Sequence, residues 1–212
     1  MMKINVTPSD DELLRLMRAG DEEAFAALYK RRQAGIYRFA LQMSGSQATA
    51  EDVTQEVFMV LMREMHNYDA GRGSVAAYLY GVARNQVLRR LERDRSFVPL
   101  EGDDREAGNA STPAPLLAES DPLDALTREE MIERVRQAVL ALPAHYREVV
   151  VLCELHELSY AEAAAALSCA VGTIRSRLHR ARALLIEKLS DARVSGEPEK
   201  KSPLLNTARC FA

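Results

Sequence analysis

Tryptophan is absent from this 212-residue sequence, aromatic residues make up only 6% of it, and there are three cysteines. Cys153, Cys169 and Cys210 are odd in number and widely spaced, with no CxxC pair and no histidines at zinc-ligand spacing, which argues against a disulfide framework or a structural metal. Long hydrophobic runs are missing too. The densest, Val149 to Cys153, is followed at once by Glu154, and crossing a bilayer takes roughly 18–20 apolar residues. Asp10, Asp11, Glu12, Arg15 and Arg18 stand where an export signal needs an uninterrupted apolar stretch, so a cytoplasmic protein is expected. His66, His145, His156 and His179 are scattered, no glycine-rich phosphate loop occurs, and no nucleophile pairs with a base. Enzymatic chemistry, a cofactor and a small-molecule substrate are therefore not expected.

What is present is an ordinary globular composition, 47% apolar and 28% charged. The net charge of −3 offers no bulk attraction to nucleic acid, but the charge is unevenly distributed. Residues 96–126 hold Pro99, Gly102, Gly108, Pro113, Pro115 and Pro122, which interrupt any helix, and seven acidic residues against Arg105 alone. On either side proline is rare and apolar residues recur three and four apart. The expected fold is all-α, with two small helical domains over 10–95 and 127–190, a flexible acidic linker over 96–126 and a poorly ordered tail over 191–212.

In the second block, Thr127-Arg128-Glu129-Glu130 forms a capping box that opens a helix running to about Leu142, where Pro143 stops it. A second helix is expected from Ala144 to His156. A second capping box, Ser159-Tyr160-Ala161-Glu162, opens a short helix to Leu167, followed by the turn Ser168-Cys169-Ala170 and a last helix from Val171 to about Lys188. A short helix, a tight turn and a longer basic helix form the arrangement that lays a recognition helix in the major groove. Ile174, Leu178, Ala181 and Leu185 share a strip about 60° wide that must face the core. The opposite face presents Arg175, Ser176, His179 and Arg180, all suited to base edges or phosphates, with Arg177 and Arg182 flanking them for phosphate contact. A solvated surface helix is the plainer explanation. Against it, Val171 to Leu185 holds four arginines and no acid. Cys169 in the turn reads as a small packing residue.

In the first block, Val53, Val57 and Val60 line one strip of the segment from Glu51 to Glu64. Phe58, Met59 and Met62 point elsewhere and share the other side with Asp52 and Gln55, a mixture found at protein interfaces and equally in a helix buried all round. After the turn-prone stretch Tyr68 to Gly73, a helix from about Ser74 to Arg93 aligns Tyr78, Asn85 and Arg89 within about 40° of one another. Stacking, base-edge hydrogen bonding and phosphate neutralisation are what a single-stranded DNA site requires. A surface helix with a buried tyrosine would look the same.

The order of these segments, from Asp21 to Leu189, resembles the extracytoplasmic-function (ECF) subfamily of sigma-70-type RNA polymerase sigma factors. AEDVTQEVF, Ala50 to Phe58, is similar to region 2.2; YLYGVARN, Tyr78 to Asn85, to regions 2.3 and 2.4; and LSYAEAAAAL with SCAVGTIRSRLHRAR, Leu158 to Arg182, to region 4.2. The resemblance implies a sigma region 2 helical bundle and a sigma region 4 helix-turn-helix. It implies that Asp52, Gln55 and Phe58 contact the clamp coiled coil of the polymerase β′ subunit. It also implies that Tyr78, Asn85 and Arg89 serve the −10 element of promoter DNA, and that Thr173, Arg175, Ser176, His179 and Arg180 serve the −35 element. The linker would thread the RNA exit region, its charge imitating a nucleic acid, and an anti-sigma factor is an implied partner.

The sequence departs from the family at several points. Tyr78 stands where the family usually has tryptophan, Gly81 where arginine is frequent, His179 where some members carry an aromatic, and Ala170 where the turn often has proline. The competing reading is a helix-turn-helix regulator that acts alone as a dimer on half-sites. The first block, however, lacks the strand and helix alternation of a receiver domain.

Overall fold

The computed structural model of the protein describes residues 8–96 and 122–194. Among these the regular structure is entirely helical. The first half holds α1 (Asp10–Arg18), α2 (Glu22–Ser44), α3 (Gln47–Glu64) and α4 (Val75–Ser96), with two single 3₁₀ turns between α3 and α4. The second holds α5 (Pro122–Leu140), α6 (Ala144–Val150), α7 (Tyr160–Leu167) and α8 (Val171–Val194).

Local chemistry sets most boundaries. Ser9, Asp21 and Ser46 each turn a side-chain oxygen onto a free backbone N–H of the turn that follows, opening α1, α2 and α3. Three acids in the first turn of α1 and Arg15 and Arg18 in its last oppose the helix dipole. Gly45 closes α2 at φ 73°, in the left-handed region where glycine carries no steric penalty. The expected capping box at Ser159 is present, with Ser159 Oγ accepting from Glu162 N at 3.2 Å while the Glu162 carboxylate accepts from Ser159 N at 3.0 Å. Those bonds to Ser159 hold the Glu162 carboxyl below the usual carboxylate range.

Three boundaries differ from expectation. The helix expected from Thr127 begins at Pro122, so Thr127 lies inside α5 and its capping box does not open the helix. Proline at the first helical position needs no partner for an N–H and has its φ preset, so Pro122 starts this helix rather than ending a linker. The helix over 144–156 changes pitch at Val151–Leu155, a π turn closed by His156 N donating to Val151 O at 3.0 Å. At the other end α8 runs through Val194, into the stretch expected to be tail. The remainder of the linker and tail, with Cys210, lies outside the described residues.

The core is continuous across both halves. Leu28, Ile36, Phe39 and Met43 of α2 pack with Val53, Val57 and Leu61 of α3 and with Leu79, Ala83 and Val87 of α4, and the same cluster continues through Val149, Leu152, Ala163, Ile174 and Leu178. The halves meet where α4 crosses α7 and where the π turn reaches α2. Gly81 permits the first contact, because a Cβ there would lie 3.0 Å from the Ala166 carbonyl oxygen. At the second, His156 lies between Tyr80 OH at 3.0 Å and Gln42 Oε1 at 2.9 Å. Arg147 of α6 donates to the carbonyls of Met43, Leu140 and Leu142, tying the end of α2 to the second half.

Candidate nucleic-acid interfaces

Helix α8 has the two faces expected of it. Ile174, Leu178 and Ala181 are buried, and Leu185 is half-buried against the same core. Arg175, Ser176, His179 and Arg180 are exposed, with Thr173 half-buried at the edge of their face. The Arg175 guanidinium lies 6.0 Å from the centre of the Tyr160 ring, which stations it at the outer mouth of the helix-turn-helix. Ser176 Oγ donates to Thr173 O at 3.0 Å. Ser168 takes φ 51° to turn the chain sharply between α7 and α8. Cys169 in that turn is half-buried and packs on the core, as expected of a packing residue.

The two flanking arginines differ from expectation. Arg177 Nη1 donates to Glu148 Oε1 at 3.0 Å, and Arg182 Nη2 donates to Glu154 Oε1 at 2.5 Å. Both acids come from the helical segment that precedes the helix-turn-helix, so the acids missing from Val171–Leu185 are supplied by its neighbour.

On α4, Asn85 and Arg89 are exposed and Tyr78 is half-buried. The Tyr78 ring meets Tyr68 edge-on at 5.7 Å, and burial, with Glu64 second, raises its phenol pKa. Tyr68 is held in turn by Asp11, to whose carboxylate its hydroxyl donates at 2.7 Å. Burial and this bond push the Tyr68 pKa well above that of a free phenol. Tyr78 and Asn85 line a cleft of about 680 Å³ whose far wall is α7 and the turn after it.

On α3, Asp52 and Gln55 are exposed, beside Met59 and Met62 at 47% and 48% exposure. Phe58 corrects the expectation. It is only 3% exposed, and its ring lies 4.6 Å from Tyr29 and meets Phe25 edge-on at 6.4 Å. On a helix that packs on two sides the strip through Val57 and Phe58 is wider than the valine stripe, so Phe58 supports the face rather than forming it.

Sequence reasoning missed Glu148 and the His156 cluster. Glu148 opens the apolar run that continues to Cys153 and is 1% exposed. A lone acid beside such a run was the available signal. His156, paired with Tyr80 and Gln42, carried no local signal. Burial, with Arg38 second, lowers its pKa to about 4, so the ring is neutral at pH 7. Among the described residues no group of His, Cys, Asp and Glu is placed to hold a metal, and no helix is long and apolar enough to cross a membrane.

A helical bundle joined to a helix-turn-helix with an exposed basic face defines a two-domain protein of the DNA-binding class. The family pattern of sigma-70 region 2 matches residues 28–97, and that of sigma-70 region 4 matches residues 132–185. The chain is 33% identical to the ECF RNA polymerase sigma-E factor of Escherichia coli K12 over 85% of this chain and 94% of that one. It is 29% identical to the ECF RNA polymerase sigma factor SigW of Bacillus subtilis over 84% and 95%. Two solved structures share the fold at 24% identity. CnrH bound to the cytosolic domain of CnrY has a TM-score of 0.62 over 86% of this chain and 97% of that one, and RpoE of Bartonella quintana bound to NepR has 0.57 over 78% and 96%. The chain belongs to the ECF family of RNA polymerase sigma factors.

Proposed function

We propose that this sigma factor performs no catalysis itself and lends promoter choice to core RNA polymerase through three separate faces. Asp52 and Gln55 on α3, bordered by Met59 and Met62, dock on the β′ clamp coiled coil. Tyr78, Asn85 and Arg89 on α4 engage the −10 element, and Arg175, Ser176, His179 and Arg180, with Thr173, engage the −35 element. The protein works in the cytoplasm, and an anti-sigma factor holds it inactive; the two neighbouring structures, in which related folds are bound by CnrY and NepR, support that partner. The observation that carries the reading is the exposed face of Arg175, Ser176, His179 and Arg180 on α8, opposite its buried stripe. A dimeric regulator acting alone is disfavoured, because the first half is a sigma region 2 bundle.

The test is transcription from fragmented genomic DNA with purified core polymerase, mapping the 5′ ends. Addition of the protein is expected to create start sites that share sequence at two upstream positions. Arg175→Glu with Arg180→Glu is expected to abolish those starts while leaving co-elution with core intact, since a good bidentate base contact contributes about 1–3 kcal/mol and reversal adds repulsion from phosphate. Starts unchanged from those of core alone would reject the assignment.

A further inference from the structure

We infer that Tyr160 is a positioning residue for promoter specificity. Its ring holds the Arg175 guanidinium ready for a base edge, so the discrimination that Arg175 provides at the −35 element depends on an aromatic residue of a different helix. The inference rests on the promoter-binding reading above and refines its −35 site.

Tyr160 is the first residue of α7, and the capping box formed by Ser159 and Glu162 around it fixes its backbone. The residue is 38% exposed. The Arg175 guanidinium, near the start of α8, lies over the ring at 6.0 Å from its centre, within the range of cation–π attraction. Arg182 stands two turns farther along α8 on the same side. It donates through Nη2 to Glu154 Oε1 at 2.5 Å. Glu154 first, and the Tyr160 hydroxyl after it, raise the Arg182 pKa. Tyr160 therefore interacts with both arginines, and Arg182, itself held by Glu154, steadies the ring on which Arg175 rests.

The manner of holding decides what the arginine can still do. A carboxylate holds a guanidinium by occupying its N–H donors, as Glu148 does with Arg177 and Glu154 with Arg182. An aromatic face attracts the charge and leaves the in-plane N–H groups free. Among the described residues Arg175 makes no hydrogen bond or ion pair, so its fork stays open for the paired acceptors of a guanine edge. A long side chain that is already stationed also loses less freedom on binding. Arg180 shares the exposed face, but among the described residues no ring lies beneath it, so its contribution should not depend on Tyr160.

The test titrates the full chain, bound to core polymerase, with labelled promoter duplexes carrying a mapped −35 sequence or single-base changes in it. Tyr160→Leu is expected to weaken binding about two- to fivefold, what an exposed cation–π contact supplies. It should lower by the same factor the discrimination at the base pair that Arg175→Ala no longer distinguishes. Tyr160→Phe, which keeps the ring and removes the hydroxyl, should retain both. In the Arg175→Ala background Tyr160→Leu should have no further effect, whereas in the Arg180→Ala background its full effect should remain. Without DNA, nitrogen relaxation of the free full chain should give the Arg175 Nε–H an order parameter above about 0.6 in the wild type and in Tyr160→Phe, and below it in Tyr160→Leu. Circular dichroism should show the same helicity in all three. Additive effects of Tyr160→Leu and Arg175→Ala, or an Arg175 side chain equally ordered with and without the ring, would each overturn the inference. So would a Tyr160→Phe as weak as Tyr160→Leu, since the hydroxyl would then be acting on DNA itself. A wild-type holoenzyme that binds no promoter would reject the promoter reading and the specificity role together, while the relaxation result still judges whether the ring holds Arg175.

Discussion

Exposure separates residues that resemble one another in a sequence. Asp52, Gln55 and Phe58 lie within two turns of α3, yet the first two face solvent and Phe58 is enclosed by Phe25 and Tyr29. Phe58→Ala is expected to cost about 3–5 kcal/mol in urea unfolding, as large-to-small changes of buried aromatics do. Asp52→Ala and Gln55→Ala should leave the unfolding midpoint unchanged and weaken co-elution with core polymerase; equal effects of all three on stability would contradict this division. His156 makes a second prediction. Its folded pKa, lowered to about 4, lies below the unfolded value near 6.5, so between these the unfolded chain binds more protons and stability rises with pH. At pH 7 the folded ring is neutral and the unfolded one mostly so, and little is lost. As pH falls from about 6.5 toward 4 the melting temperature should drop, and His156→Gln should remove part of that slope. An identical slope in the variant would assign it to the carboxylates alone. Phe58 reads as an interface residue because a helical wheel assumes one buried stripe, whereas α3 is packed by α2 and α4 together.

At the scale of the element, local rules account for much of what forms. The Ser159 capping box, the termination at Leu167 and the buried stripe of α8 are all where the residues place them, because each depends on groups within four positions along the chain. Ser159→Ala is expected to cost about 1 kcal/mol in chemical denaturation, the usual value of an N-cap. Gly45→Ala should cost at least as much, since φ is 73° and a Cβ would press on Leu140 at 3.1 Å. Midpoints that do not move in these variants would show that tertiary packing, not capping, ends the helices. The local rules fail at Thr127, whose capping pattern lies inside α5, and at Val151–Leu155. A π turn has no composition of its own. It is adopted because it carries Leu152 inward while bringing His156 to Gln42 and Tyr80.

For the whole molecule, the decisive feature is that the two halves share one core. A chain closed in this way should unfold thermally in a single cooperative transition, with equal calorimetric and van't Hoff enthalpies. Gly81→Ala should separate that transition into two, and two transitions in the wild type would show that the halves do not stabilise each other. Neighbouring residues alone were enough to specify the helical class, two helix-rich blocks around a proline-rich stretch, and the exposed polar faces of α8 and α4 proposed to meet nucleic acid. These are periodicities and caps, short-range properties written in neighbouring residues. What those faces meet depends on the packing of distant helices. It buried Phe58, gave Arg177 and Arg182 acidic partners from another helix, and joined Arg84 to Glu148 across 64 positions. Pairings at that separation depend on how helices stack, and a buried carboxylate selects whichever cations the stacking delivers.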